Sequence, residues 1–316
     1  MAEILAQYPD GFVSPLTSIG ILSLEGADAV PFIHRQLSND IEHLDDSQAR
    51  LAAYCTPQGR VLALFTVWKD NDRVLLAFPK DILPAIQKRL RFYVLRDKVS
   101  VSDVSDDYQV YGIYGDGTLK ALGLSADASP ADTYAKVENE TGTLIRWQDA
   151  FAKPRWLLFA RQSVTVSEQY LADENAWWLT EIEAGMPRIN LAVQDRFLPQ
   201  MLNLEQLGGL SFTKGCYPGQ EIVSRAKYRG SVKSGLFKGT LTLDADALPA
   251  VPDGSPLFNE TGNECGTVVM TVADGNTLHI LAVARFEDAG TSQLRLGKAD
   301  GQAVDLTACQ PSYFKP

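Results

Sequence analysis

The chain has 316 residues, 45% hydrophobic and 22% charged, which is ordinary for a globular protein with a large buried core. Its length predicts two or three domains. The net charge of −10 argues against general, charge-driven binding to nucleic acid. No stretch approaches the ~20 apolar residues that a helix needs to cross a bilayer.

The N-terminal segment MAEILAQYPDGFVSPL lacks a basic region followed by an apolar run, so we expect no signal peptide. The four cysteines are scattered and form no C-x-x-C pair, which argues against a zinc site and a disulfide framework. They are Cys55, Cys216, Cys265 and Cys309. We therefore expect a cytoplasmic protein without a structural metal.

The first two thirds of the chain alternate short helices with strand pairs. Apolar spacing predicts a helix over 26–41, a hairpin over 59–79, a helix over 79–95, a strand over 98–104, a hairpin over 143–160 and a helix over 176–187. Residues 103–140 carry the weakest signal. This mixed order favours an α+β fold over a doubly wound sheet. The usual glycine-rich nucleotide-binding motifs are absent.

The last third has a different character. After Gly230 come short β-type runs at the spacing typical of a small β-barrel or sandwich. We place a domain boundary near residue 233, so that residues 1–232 form an N-terminal region and residues 233–316 a C-terminal β-barrel domain.

Residues 214–221 read KGCYPGQE. Pro218 suits the first turn of a helix, which would put Cys216 just before a helix N-terminus. That terminus and the nearby Lys214 would both favour the reactive thiolate form of Cys216. Cys216 and Lys214 are therefore the candidate catalytic residues. The alternative, that Cys216 is a small buried hydrophobe, stays open. None of the three histidines has neighbours that suggest a Cys–His hydrolase.

Two further features suggest a ligand site. Trp178 and Glu183 lie near the end of one predicted helix, and together they would suit a pterin or purine by stacking and by carboxylate hydrogen bonds. A core tryptophan and an exposed acid are the alternative. Residues 211–240 hold six Lys or Arg against one acid, among them Arg225 and Arg229. This run fits either a solvated basic face or a site for an anionic ligand or partner.

The motif KGCYPGQE followed by RAKYRG resembles the signature of the YgfZ family, folate-binding relatives of the glycine cleavage T protein, an aminomethyltransferase. The triplet GAD at 26–28, IEAGMP at 182–187 and the run 197–216 fit the same family in the same order. The resemblance covers most of residues 15–235.

The resemblance implies a three-domain fold, with two interleaved α+β domains that have ferredoxin-like elements and a C-terminal β-barrel. It implies a tetrahydrofolate-dependent accessory role in the assembly or repair of iron–sulfur clusters in client proteins, including a tRNA-modifying enzyme. The alternative is a folate-dependent aminomethyltransferase or one-carbon transferase. A third alternative is a protein-binding module that needs no folate. Direct binding to nucleic acid and to membranes is not expected.

Carried over residue by residue, the resemblance matches Trp178 to a folate-contacting tryptophan and Glu183 to the acid that holds the pterin edge. The family's second folate-contacting tryptophan corresponds to Ile19 here, and we place no counterpart of the T protein's catalytic aspartate. We expect Trp178 and Glu183 to line a central pocket. Cofactor contacts are also expected from two nearby segments, namely Asn39 with Asp40 and Arg225 with Arg229.

Overall fold

The computed structural model describes residues 2–124, 132–230, 232–242, 251–289 and 293–309. Its helices are α1 (Glu3–Ala6), α2 (Ala29–Gln36), α3 (Leu83–Phe92), α4 (Asp116–Ala121), α5 (Glu174–Ala184), α6 (Gln220–Tyr228) and α7 (Phe286–Ala289). Within these described ranges, no helix is long and apolar enough to span a bilayer.

The strands up to the barrel are β1 (Phe12–Pro15), β2 (Ile19–Glu25), β3 (Ala49–Cys55), β4 (Val61–Asp70), β5 (Arg73–Pro79), β6 (Ser100–Asp103), β7 (Gln109–Tyr114), β8 (Lys136–Glu138), β9 (Gly142–Ala150) and β10 (Lys153–Ala160). The barrel strands are β11 (Ser234–Thr242), β12 (Pro256–Phe258), β13 (Glu264–Asp274), β14 (Thr277–Arg285), β15 (Leu294–Leu296) and β16 (Ala303–Ala308).

The first sheet has the order β3-β4-β5-β2-β6 and is buried on both faces. Alternate residues of a strand point to opposite faces, so Leu22 and Leu24 pack with α2 and α3 while Ile21 faces the other way. The near-continuous apolar runs of β3, β4 and β5 follow from this, because helices cover one face and the second sheet approaches the other.

The second sheet has the order β1-β7-β10-β9-β8 and carries α5 on one face. Trp177 of α5 packs so closely on Gly112 of β7 that a Cβ atom there would lie 2.3 Å from the indole. A glycine is therefore required at position 112, because only a residue without a side chain lets α5 pack this closely on the sheet.

The two sheets are interleaved in sequence. The chain contributes β1 to the second sheet, then forms the whole first sheet from β2 to β6, and returns to the second sheet with β7 to β10. The closed barrel follows, with the order β11-β14-β13-β12-β15-β16. This confirms the expected α+β architecture of two interleaved domains and a C-terminal barrel.

Most sequence-predicted elements are confirmed, with shifted ends. Both hairpins form as β4–β5 and β9–β10. The helix expected over 26–41 is limited to α2, because Leu37 is already extended. The helix expected over 79–95 starts with one 3₁₀ turn before α3. Within the weak region 103–140, residues 125–131 lie outside the described residues, and β7, α4 and β8 flank them.

Candidate functional site

A cavity of about 70 Å³ lies where the two sheets and α5 meet. The first sheet lines it with apolar side chains, and so do β7 and β10 of the second sheet. The start of β2, helix α5 and the segment after α5 form the rest of the wall. The side chains from these elements include Ile19, Trp177, Trp178, Glu181, Met186 and Arg188. The cavity is thus mainly apolar and aromatic, and its polar lining residues are Thr66, Glu181 and Arg188.

Helix α5 is fixed at both ends, and this orients its side chains. Asp173 caps the N-terminus, where its side chain accepts a hydrogen bond from the Ala176 amide at 3.1 Å. Gly185 ends the helix in the left-handed conformation with φ +66°. Between these caps Trp178 and Glu181 are three residues apart, so they share one face of the helix and both reach the cavity.

Glu181 is a buried acid whose position is set by two hydrogen-bond donors. Its Oε1 accepts hydrogen bonds from Arg155 at 2.6 Å and from the Trp147 indole at 2.9 Å, and Arg155 also donates to Thr180. Burial raises the pKa of Glu181, although the ion pair with Arg155 opposes that shift. Glu181 Oε2 takes part in none of these bonds.

Arg188 covers the aromatic wall of the cavity. Its guanidinium carbon lies 4.5 Å from the centre of the Trp178 ring, within the range of a cation–π contact. It donates a long hydrogen bond of 3.5 Å to Ser18 Oγ, and among the described residues its buried Nε has no partner. Arg188 is therefore a weakly held cation inside an apolar site.

Glu183 lies elsewhere, against the expectation that it would share a pocket with Trp178. Five residues rotate a regular helix by about 140° in excess of one turn, so the two side chains diverge. Glu183 pairs with Lys238 of β11 at 2.7 Å and lines a second cavity between α5 and the barrel. Helix α5 stays regular up to Ala184, so no bend at its end turns Glu183 towards Trp178.

Asn39 and Asp40 lie beyond the end of α2 and do not line the central cavity. The Asn39 amide donates to the carbonyls of Leu51 and Gly208, each at 2.7 Å, and so ties this loop to β3. Asp40 contacts His43 at 2.8 Å and lies 3.4 Å from His34.

Lys214 is buried and turned towards α2. Its ammonium donates to the carbonyl oxygens of His34 and, at 2.6 Å, Leu37, which are the unpaired acceptors at the end of that helix. Burial lowers the pKa of Lys214 to about 8, while the nearby acids Asp40 and Glu42 act in the opposite direction. Lys214 thus holds the cysteine loop on α2.

Cys216 is exposed, and it lies further from the helix than the sequence predicted. Helix α6 begins at Gln220 with Gly219 as its N-cap, so Pro218 is not in the first turn. The reason is a close approach. Gly219 has φ +82°, and a Cβ atom there would lie 2.5 Å from the Thr56 carbonyl oxygen. Both expected stabilisers of the thiolate, the helix N-terminus and Lys214, are therefore displaced from the predicted arrangement.

Arg225 and Arg229 belong to α6 and its C-cap, and neither lines the central cavity. Arg225 makes a 3.3 Å contact with Glu221 one turn earlier on the same helix. The structure therefore brings Trp178 to the cavity but not Glu183, Asn39, Asp40, Arg225 or Arg229.

Three site residues escaped the sequence analysis. Glu181 had a usable signal, because its spacing of three from Trp178 places both on one helical face. Arg188 follows the helix and has no periodic signal. His34 lies near Gly215, where a Cβ atom would be 3.9 Å from its Nε2, yet the two are far apart in sequence. In the part of the chain that the structure describes, no cluster of three or more His, Cys, Asp or Glu could hold a metal ion.

Comparisons with known proteins give consistent results. The chain is 31% identical over 307 residues to the tRNA-modifying protein YgfZ of Sodalis glossinidius, covering 92% of each chain. It is 29% identical over 309 residues to the protein of that name from Aliivibrio fischeri strain MJ11, covering 95% of this chain and 93% of the relative.

Among solved structures, the glycine cleavage system aminomethyltransferase T of Bartonella henselae superposes with a TM-score of 0.68 and 12% identity. That superposition covers 99% of this chain and 91% of the other, and it shows a common fold. The chain matches no protein-family model.

Proposed function

The chain belongs to the YgfZ family, and from that membership we propose that it is a tetrahydrofolate-binding accessory protein for iron–sulfur clusters. In this proposal it supports the assembly or repair of clusters in client enzymes, including enzymes that modify tRNA. Cys216 is its working thiol.

The observation that carries the proposal is the cavity between the two sheets. A pterin ring is flat and aromatic, and its edge presents N–H donors to an acid. Trp178 offers a stacking surface, and Glu181 Oε2 is the acceptor left over by Arg155 and Trp147. Glu181 therefore takes the role that the sequence had suggested for Glu183.

Size imposes one condition on this fit. The cavity of about 70 Å³ is far smaller than the ~300 Å³ or more of typical ligand pockets. Arg188 is the side chain that can make room, since it lies over Trp178 and its hydrogen bond to Ser18 is a long one. We infer that a bound ring displaces Arg188 from the indole.

A titration with tetrahydrofolate tests the ligand. Trp178→Ala removes the stacking surface and is expected to weaken binding by at least about 0.5–1.5 kcal/mol, the value of aromatic stacking beyond buried area. Trp156→Ala is the matched control, because Trp156 lies in a separate core cluster. Equal affinities in the two variants, or no binding by the unmodified chain, would contradict the proposal.

The thiol is tested by labelling and by function in cells. Iodoacetamide should modify Cys216 first, because burial raises the pKa of Cys265 to about 11 and of Cys55 and Cys309 to about 12. Cys216→Ser should keep its melting temperature and its tetrahydrofolate affinity. It should nevertheless fail to restore iron–sulfur enzyme activity in cells lacking the native protein. Full restoration would remove Cys216 from the proposal.

A further inference from the structure

Helix α6 is anchored on one side. Val223 is completely buried, and its carbonyl oxygen accepts a 2.6 Å hydrogen bond from Gln200. The N-cap Gly219 packs against the turn at Thr56 and Gly59, and Gln220 reaches back to the Gly215 carbonyl at 3.4 Å. The helix and the loop that carries Cys216 therefore form one fixed surface.

The opposite side of α6 is exposed and has an unusual composition. Tyr228 and Arg229 lie three and four residues after Arg225, about one helical turn away, and Tyr228 is 67% exposed. Beneath them Phe212 meets the Tyr228 ring edge-on at 6.0 Å. We call Phe212, Arg225, Tyr228 and Arg229 the α6 face.

The α6 face has an excess of positive charge in a chain of net charge −10. Lys227 beside it is neutralised by Glu205 at 2.6 Å, and Arg225 pairs at 3.3 Å with Glu221, which is itself exposed. Tyrosine and arginine are enriched at protein interfaces, where they supply much of the binding energy. An exposed tyrosine between two arginines thus fits a protein partner that offers acidic side chains.

We propose that the α6 face docks an acidic segment of a client protein and brings that client to Cys216. This inference rests on the proposed function, since it names the surface through which the accessory role is exerted. It also gives Arg225 and Arg229 a role outside the ligand cavity.

Two other occupants fit the α6 face less well. A second copy of the chain in a two-fold dimer would place this face on itself, and arginines would then meet arginines. RNA needs many phosphate contacts to bind at physiological salt, whereas this face offers two arginines on an acidic protein.

The experiment uses the full chain with a photo-cross-linking amino acid at position 228, expressed in cells that lack the native protein. The cross-linked product is identified by peptide mass. We expect an iron–sulfur protein joined through an acidic segment. The double variant Arg225→Glu with Arg229→Glu should lower the cross-linking yield about tenfold or more, and reversing the acids of the client segment should restore it.

The matched control is Lys88→Glu with Lys120→Glu, which changes the net charge equally on the exposed surfaces of α3 and α4. Its cross-linking yield should equal that of the unmodified chain. A cross-link to RNA or to a second copy would overturn the proposal, and so would a charge-reversed α6 face that still cross-links fully.

Tetrahydrofolate affinity, measured on the same variants, separates the two proposals. If the charge-reversed α6 face loses ligand affinity as well, Arg225 and Arg229 belong to the ligand site and the docking proposal is wrong. If the unmodified chain binds no tetrahydrofolate but still cross-links to an acidic client segment, the ligand proposal fails and the docking proposal stands.

Discussion

The ammonium of Lys214 caps one helix while its backbone begins the cysteine loop. A cation at the C-terminus of α2 interacts favourably with the carbonyl oxygens that have no partner within the helix. The cost is burial, which lowers the pKa of Lys214 to about 8. One side chain therefore couples the position of the Cys216 loop to a protonation equilibrium.

This coupling predicts a pH dependence of stability. An unfolded lysine has a pKa near ~10.4, so between about pH 8 and 10.4 the unfolded chain binds more protons than the folded one. The contribution of Lys214 to the free energy of unfolding should therefore rise with pH across this window and stay constant below about pH 8, where both states are protonated. Urea unfolding of the unmodified chain and of Lys214→Met at several pH values measures it.

Lys88→Met, which removes an exposed lysine of α3, is the control for general effects of charge. The difference between the unmodified chain and Lys214→Met should grow in favour of the unmodified chain above pH 8. A difference that stays constant from pH 7 to 10 would contradict the assignment.

Residue spacing explains how much of the cavity lining could be predicted from the sequence. Trp178 reaches the cavity, as its place in an aromatic helix suggested. The choice between Glu181 and Glu183 depends on which face of α5 meets the sheets. Helix α5 is buried on all sides from Ala176 to Ile182, so its apolar residues show no helical period that would mark that face. Arg188 and His34 reach their sites through contacts that local sequence does not encode.

At the scale of elements, α6 depends on one glycine. The left-handed conformation of Gly219 lets the chain turn into the helix while its Cα approaches the backbone at Thr56 and Gly59. Gly123 is also left-handed, with φ +71°, but in the described part of the chain no atom lies within 4 Å of a Cβ placed there. The two positions differ mainly in their surroundings.

Gly219→Ala and Gly123→Ala should therefore separate conformational strain from close packing. Both substitutions place a Cβ atom on a left-handed backbone, which destabilises the folded state by about 1 kcal/mol. Only Gly219→Ala also forces α6 away from the Thr56 turn, so it should lose clearly more unfolding free energy and alter the labelling rate of Cys216. If both variants lost the same free energy of unfolding, the close packing of Gly219 on Thr56 and Gly59 would contribute nothing to stability.

Local sequence patterns predicted the strands whose pairing partners are close in sequence. The hairpins β4–β5 and β9–β10 have their partners within a few residues, so alternation and turn residues sufficed. Strand β1 has four residues and pairs with β7 about a hundred residues later. Its existence depends on that distant edge, and no local pattern could reveal it.

At the scale of the molecule, Asp70 links the two sheets. This buried carboxylate at the end of β4 accepts from Arg73 at 2.6 Å and from Arg161 beyond β10 at 2.9 Å. Burial acts to raise the pKa of Asp70, but the two arginines prevail and hold it below its usual value. The acid is therefore ionised at neutral pH and joins the two sheets through its ion pairs with Arg73 and Arg161.

Asp70→Asn should lower the free energy of unfolding by about 1.5–3 kcal/mol, because it weakens hydrogen bonds between charged groups. Asp107→Asn, at an exposed acid, is the control and should change little. Urea unfolding measures both. If the two variants had the same free energy of unfolding, the ion pair between Asp70 and Arg161 would not contribute to the stability of the contact between the sheets.

The interleaved order of the strands also determines when each strand can pair during synthesis on the ribosome. Strand β1 emerges first but must wait for β7, and the entire first sheet is made in between. At ~5–20 residues per second, this wait lasts roughly 5–20 s. During it the nascent chain carries an unpaired apolar strand beside a nearly finished sheet. The cavity between the sheets can close only after α5 and Arg188 have emerged, so a molecule bound there would act on late folding and not on the early nascent chain.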